Sequence, residues 1–166
     1  ENGKQVACLV ELKARFDEER NLHWAEELQK AGDHVIYGFR GLKTHTKLAL
    51  VVRKEGDGLR SYAHIGTGNY HVKTARMYTD FGLFTCDPVL TRDVVTLFHH
   101  LTGYSRSPRF EKLLVAPLNM RTRFVDLIAR EAANARAGRP ARIVVKVNQL
   151  EAGPICEALC DASNAG

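Results

Sequence analysis

The sequence has no apolar run near the ~20 residues that a membrane-spanning helix needs. Its first ten residues, ENGKQVACLV, lack the basic start and apolar centre of a signal peptide. We therefore expect no membrane span and no secretion signal. The chain otherwise reads as cytosolic, and we expect a cytoplasmic location.

Cysteine is scarce, and the four thiols are not spaced as metal ligands usually are. They are Cys8, Cys86, Cys156 and Cys160. Zinc sites typically use a CxxC pair with a second pair of Cys or His, and neither pair is present. We therefore predict no zinc site, no required disulfide, and buried positions for the thiols.

Acidic residues are outnumbered by basic ones, 19 to 24, which gives a net charge of +5. A basic surface favours anionic partners such as phosphates, nucleic acid or acidic lipid. At 166 residues the chain can bury a sizeable core. The apolar share of 45% and the charged share of 26% are typical of a globular protein.

Hydrophobic periodicity and turn residues predict a mixed α/β organisation for the first part of the chain. Gly56, Asp57 and Gly58 predict a tight hairpin turn between two strands. The predicted strands are 5–12, 33–39, 47–55 and 59–66. The predicted helices are 18–32, which Asp17 precedes and Gly32 ends, and Asp93 to Leu101.

A change in composition over residues 102–110, TGYSRSPRF, predicts a domain boundary. We place the domains at 1–106 and 107–166. The second is predicted to run strand, helix, strand and helix, as the start of an α/β domain that lacks the strands needed to complete a sheet. Its predicted elements are KLLVAP, 120–137, ARIVVKVN and a helix from Gly153. The chain is expected to be truncated at both ends.

The stretch KTHTK places His45 two residues before Lys47, so on an extended backbone both side chains point to one face. A neutral histidine can attack phosphorus or act as a base, and a neighbouring lysine can stabilise phosphoryl oxygens. A solvated strand end that carries these two residues is the alternative. The apolar residues that follow, LALVV, predict a buried strand.

About twenty residues later the chain reads IGTGNY, with Gly66, Gly68 and Asn69. Glycines let backbone N–H groups approach an anion closely, although the same pattern also suits a tight turn. The two motifs together resemble the half-motif of the phospholipase D superfamily. That family has an aspartate shortly after the lysine, where this sequence has Val52, which argues against a general phosphodiesterase.

Longer blocks resemble bacterial polyphosphate kinase of the first type. They include VELKARFDEERNLHWAEELQKAGDHVIYGFRGLKTHTKLALVVR and YAHIGTGNYHVKTARMYTDFGLFTCD. The resemblance implies a phospholipase D-like mixed sheet flanked by helices, followed by the incomplete start of a second similar domain. It also implies reversible transfer of the terminal phosphate of ATP to polyphosphate, with a phosphohistidine intermediate and Mg²⁺.

The same resemblance assigns roles to individual residues. His45 matches the phosphorylated histidine, and Tyr78 matches the tyrosine that contacts the nucleotide. Arg15 matches an arginine at the magnesium-phosphate site, where a guanidinium has no lone pair and must hold phosphate oxygens instead of the metal. Asp80 is a candidate for the metal or for a hydrogen bond.

Motif position places three more residues near the phosphates. Lys47 is a candidate catalytic residue, and Asn69 and Arg76 are candidates for ATP binding. Three other residues are predicted to be structural: Trp24 in the core, His64 facing away from the catalytic side of its strand, and His71 in a solvated loop.

The resemblance also implies the partners, which are ATP or ADP and inorganic polyphosphate, with no nucleic acid. The parent enzyme is expected to form homo-oligomers, and peripheral association with the inner membrane face stays open as an alternative to a purely cytoplasmic location. Family residues that complete the site are absent from this sequence, so the chain alone is expected to be inactive. Two alternatives remain open, a phospholipase D-like phosphodiesterase or nuclease and a non-catalytic anion-binding module.

Overall fold

The computed structural model describes residues 3–11, 18–38, 41–103, 107–147 and 149–166. Two compact units divide the chain, Glu1–Leu113 and Leu114–Gly166, and each is described by itself. Within the described ranges, no helix combines the length and hydropathy needed to cross a bilayer.

The first unit begins with a parallel strand pair. Strands β1 (Ala7–Val10) and β2 (His34–Tyr37) pair in register, and helix α1 (Glu18–Lys30) connects them. The helix ends where Gly32 adopts a φ of +93°, a conformation that glycine reaches without steric cost. Parallel strands joined by a helix form the βαβ arrangement.

An antiparallel sheet follows, with strand order β3–β4–β5. It consists of β3 (Lys47–Glu55), β4 (Gly58–Gly66) and β5 (Gly82–Thr85). The predicted hairpin joins β3 to β4, and Gly56 has a positive φ of 58° there. The sequence prediction of a mixed α/β fold is confirmed for this unit.

Two helices complete the first unit, α2 (Val72–Met77) and α3 (Pro88–Leu101). The start of α3 lies five residues before the predicted start at Asp93. Asp87 caps it, because its carboxylate accepts hydrogen bonds from two backbone amides at 3.1 and 2.9 Å, and Pro88 occupies the first turn. Helix α2 and strand β5 were not predicted.

A buried carboxylate ties α3 to the segment that follows it. Asp93 is only 3% exposed, and it accepts hydrogen bonds from the backbone amides of Glu111, Lys112 and Leu113 at 3.0, 2.7 and 2.9 Å. Three amide donors on one carboxylate satisfy a charge that burial would otherwise penalise strongly.

The second unit contains two helices in its described part, α4 (Met120–Arg136) and α5 (Gly153–Ser163). They pack through Ile128, Ala132 and Ala162. The predicted strands KLLVAP and ARIVVKVN are wrong for the residues described there, which form no sheet pairing. A strand needs a neighbour for its backbone groups, and the described part of this unit supplies none.

Several burial predictions are also wrong. Val51 and Val52 of β3 are about half exposed, so this strand is not buried on both faces. Trp24 is 58% exposed, because the buried stripe of α1 passes through Ala25 instead. No cysteine is buried: Cys86 and Cys160 are exposed, and Cys8 and Cys156 are partly exposed.

We predict that Asp93→Ala lowers the free energy of unfolding by about 2–4 kcal/mol, because three amides lose their acceptor. Asp93→Asn should lose less, since its amide oxygen still accepts. Urea denaturation measures both, with the exposed Glu26→Ala as the matched control. A loss from Asp93→Ala no larger than that of the control would contradict the prediction.

Candidate functional site

The register of the antiparallel sheet brings three separate segments to one edge. Lys47 pairs with Gly66, and Gly66 pairs in turn with Gly82. Because β3 begins, β4 ends and β5 begins at this edge, His45, residues 67–69 and Asp80 all lie just beyond it. The predicted proximity of the HxK motif and the glycine loop follows from this register.

Lys47 is held against the backbone of the histidine. Its Nζ donates a hydrogen bond to the carbonyl oxygen of His45 at 2.5 Å. The pKa of Lys47 is lowered, mainly by partial burial. The Asp80 carboxylate acts to raise this pKa, and the positive charge of Lys43 lowers it further. The hydrogen bond places the ammonium group beside the backbone of the histidine.

The pKa of His45 is lowered, first by partial burial and then by the positive charges of Lys47 and Lys43. A lowered pKa keeps the imidazole neutral to lower pH, so a ring nitrogen retains its lone pair at pH 7. A neutral imidazole beside a fixed cation can act as a nucleophile or a base toward an anionic substrate.

Asp80 fixes the glycine loop to β5. Thr67 Oγ1 donates to Asp80 Oδ1 at 2.9 Å, and the backbone amide of Phe81 donates to Thr67 Oγ1 at 3.0 Å. A Cβ placed on Gly68 would lie 2.1 Å from Asp80 Oδ2, so only glycine leaves room for this carboxylate.

His64 lies on the same sheet face as Lys47, which corrects the prediction that it faces away. Its Nε2 would lie 2.6 Å from a Cβ on Gly82 and its Cε1 3.0 Å from one on Gly66. The ring also contacts Phe84, with centroids 4.4 Å apart. The glycines at this edge therefore leave space for side chains, in addition to any role in anion approach.

The loop continues into α2, which carries the predicted Arg76 and is flanked by His71 and Tyr78. His71 caps this helix, with its Nδ1 accepting from the Thr74 amide at 3.4 Å, so it is not a purely solvated loop residue. Arg76 is exposed in the last turn, and Tyr78 follows it, 62% exposed. Among the described residues, no hydrogen bond links either side chain to His45.

Of the two remaining predicted residues, the structure describes Asn69 but not Arg15. Asn69 is exposed after the glycines, and its carbonyl accepts from the His71 amide at 2.7 Å. Arg15 lies outside the described residues.

Two residues were predicted for the metal site, Arg15 and Asp80, and only Asp80 lies among the described residues. The described residues contain no group of three or more His, Cys, Asp or Glu side chains arranged to hold a metal. Magnesium commonly uses one or two protein carboxylates and takes its other ligands from water and substrate phosphates. By itself Asp80 could therefore supply one carboxylate ligand to such an ion.

Glu11 contacts the site and was missed by sequence reasoning. Its carboxylate accepts a hydrogen bond from the backbone amide of Thr44 at 2.8 Å, next to His45. An acidic residue directly after a parallel strand is a weak signal that could have identified it.

Comparison with known protein families gives a match for both parts of the chain. The family model described as polyphosphate kinase C-terminal domain 1 matches residues 1–107. The chain belongs to the polyphosphate kinase family. A second family model, polyphosphate kinase C-terminal domain 2, matches residues 113–166.

Individual polyphosphate kinases support the same membership. The chain is 60% identical over its full length to the enzyme of Synechocystis and 53% identical to that of Streptomyces coelicolor. A crystal structure of polyphosphate kinase from Porphyromonas gingivalis matches 99% of the chain with a TM-score of 0.85 and 39% identity. The chain spans 23% and 22% of the two enzymes and 27% of the crystallised chain.

We predict that Gly68→Ala loosens the contact between the glycine loop and β5, because its Cβ collides with the Asp80 carboxylate. The backbone amides of Thr67 and Phe81 should then exchange with deuterium faster. Gly58→Ala is the matched control, since a Cβ there meets nothing within 4 Å. Unchanged protection of both amides in Gly68→Ala would rule out this contact as a constraint.

We predict that Lys47→Gln raises the pKa of His45 toward its ordinary value, because one positive charge is removed while the burial effect remains. Lys43→Gln should raise it less. The imidazole would then become protonated at a higher pH. NMR titration of the ring protons measures this, with Lys54→Gln at the other end of β3 as control. A His45 pKa that does not rise in Lys47→Gln would contradict the prediction.

Proposed function

We propose that this chain is part of an ATP:polyphosphate phosphotransferase that works through a phosphohistidine on His45. The observation that carries the proposal is the fixed position of Lys47 beside His45, at the sheet edge that also holds Thr67, Gly68 and Asp80. Family membership supports it, because the matched relatives are named polyphosphate kinase. We propose a phospholipase D-like fold for the first unit and a second similar domain for the sequence from 107 onward.

In the first step a ring nitrogen of His45 attacks the γ-phosphorus of ATP with its lone pair. The bond from that phosphorus to the bridging oxygen breaks, and ADP leaves with the electron pair. In the second step a terminal oxygen of polyphosphate attacks the phosphorus, the N–P bond breaks, and the lone pair returns to the imidazole. Both steps are reversible. The imidazole must be neutral when it attacks phosphorus, which it does in the first step and in the reverse of the second, and the lowered pKa of His45 favours this.

The remaining candidates would position the phosphates and stabilise their charge, which is the main requirement of phosphoryl transfer. Lys47 would contact the equatorial oxygens of the transferred group. Arg15 would hold phosphate oxygens next to the metal. Asn69 and Arg76 would contact the phosphates of ATP, and Tyr78 would contact the nucleotide.

The metal role follows from the chemistry of Asp80. Mg²⁺ bound with the nucleotide would neutralise charge on the phosphate oxygens, with the Asp80 carboxylate as its protein ligand. The net charge of +5 suits a polyanionic substrate. We also propose a cytoplasmic, homo-oligomeric parent enzyme that associates peripherally with the inner membrane face.

A phosphodiesterase is a poorer fit to this site. Val52 stands where the phospholipase D half-motif has its aspartate, and it lies within β3, five residues beyond Lys47. No carboxylate from that strand position can therefore serve the histidine.

We predict that the full-length protein carrying this sequence incorporates phosphate from γ-labelled Mg·ATP, and that His45→Ala abolishes the incorporation. The label should be acid-labile and alkali-stable, as a phosphoramidate is. His23→Ala, an exposed histidine on α1, is the matched control and should keep the label.

Three results would contradict the proposal. Label that persists in His45→Ala would place the phosphate elsewhere. Absence of label in the unsubstituted protein, together with cleavage of a simple phosphodiester without ATP, would favour the diesterase. Salt-dependent anion binding that survives His45→Ala without any covalent label would favour a binding module.

A further inference from the structure

The Glu11 carboxylate joins the parallel strand pair to the segment that carries His45. Glu11 directly follows β1, and its Oε2 accepts a hydrogen bond from the backbone amide of Thr44 at 2.8 Å, across 33 residues of sequence. A carboxylate that accepts from an amide makes a charge-assisted hydrogen bond, which is roughly twice as strong as a neutral one.

Glu11 is itself held on two sides. The side-chain amide of Asn21 in α1 donates to the Glu11 backbone carbonyl at 3.1 Å. Gly38, just after β2, leaves room for the carboxylate, since a Cβ there would lie 3.3 Å from Oε2. The amide of Gly38 also donates to the carbonyl of Val10 at 3.4 Å, which extends the strand pairing to this point.

The described segment 43–46 has no strand pairing of its own. Among the described residues, the buried hydroxyl of Thr44 has no hydrogen-bond partner. The backbone around His45 is therefore held on one side through the Thr44 amide and on the other through the His45 carbonyl, which accepts from Lys47.

We propose that Glu11 is a positioning residue, which holds the backbone of residue 44 so that the His45 ring is aligned with its phosphorus target. This inference rests on the proposed function. A nucleophile must be held in near-attack geometry, and a misplacement of about 1 Å can cost about 100-fold in rate. Glu11 acts through the amide of Thr44 and does not touch the substrate.

The test is the rate of phosphoenzyme formation in the full-length protein, followed by rapid quench at saturating Mg·ATP. Glu11→Ala should lower this rate about 10- to 100-fold, while the ATP concentration at half-maximal rate changes less than about threefold. Glu11→Gln, which retains an acceptor oxygen, should stay within about fivefold of the unsubstituted rate. Glu26→Ala, an exposed carboxylate on α1, is the matched control.

Gly38→Ala provides a second variant that leaves Glu11 chemically intact. Its Cβ crowds Oε2, so the rate should fall in the same direction but less than in Glu11→Ala. Rates are expressed per folded enzyme, measured by circular dichroism. If Glu11→Ala does not fold, Glu11→Gln and Gly38→Ala decide.

The outcomes separate this inference from the proposed function. Label on the unsubstituted protein, its loss in His45→Ala and an unchanged rate in Glu11→Ala would overturn the role of Glu11 alone. Equal losses in Glu11→Gln and Glu11→Ala would also overturn it, as would a Gly38→Ala rate equal to that of the control. Absence of label on the unsubstituted protein would instead refute the phosphohistidine.

Discussion

The hydrogen-bond register of the antiparallel sheet is the constraint on which the site depends. Lys47, Gly66 and Gly82 stand side by side on three strands, so the histidine segment, the glycine loop and Asp80 leave the sheet at one edge. Because side chains alternate between faces, a slip of one residue would turn Lys47 to the opposite face. Gly66 and Gly82 have no Cβ, which leaves the His64 ring the space that a larger residue would occupy.

Local signals predicted a large part of the first unit. The turn at Gly56 and Gly58 joins two periodic strands, so the β3–β4 hairpin could be read directly from the sequence, and with it the approach of the glycine loop to the HxK motif. Helix α4 was also predictable, because an alanine-rich periodic segment is followed by Gly138. In the structure Gly138 has a positive φ of 66°, as is common for a glycine just after a helix. The true start of α3 was also readable, since Asp87 followed by Pro88 is a typical capping sequence, and it was overlooked.

The features that could not be predicted depend on contacts between residues that lie far apart in the sequence. Strand β5 has only four residues and owes its conformation to pairing with β4. The segment ARIVVKVN has strong β propensity, but its described residues form no strand, because propensity cannot supply a neighbouring strand. The place of Glu11 beside Thr44 requires the spatial arrangement of β1 and the HxK segment, which no local pattern contains. Family resemblance proposed Asp80, whereas its fit against Gly68 is visible only in three dimensions.

The hydrogen bond from Lys47 to the His45 carbonyl has a consequence for ligand entry. An ammonium group carries three N–H donors, so this bond leaves two that can turn toward phosphate oxygens. A flexible lysine normally loses considerable rotamer entropy when it grips a ligand, and here much of that loss has already occurred on folding. In the function proposed above, an arriving phosphate chain would therefore meet a cation with little remaining freedom, and successive phosphates of the polymer could exchange on it without reordering the side chain each time.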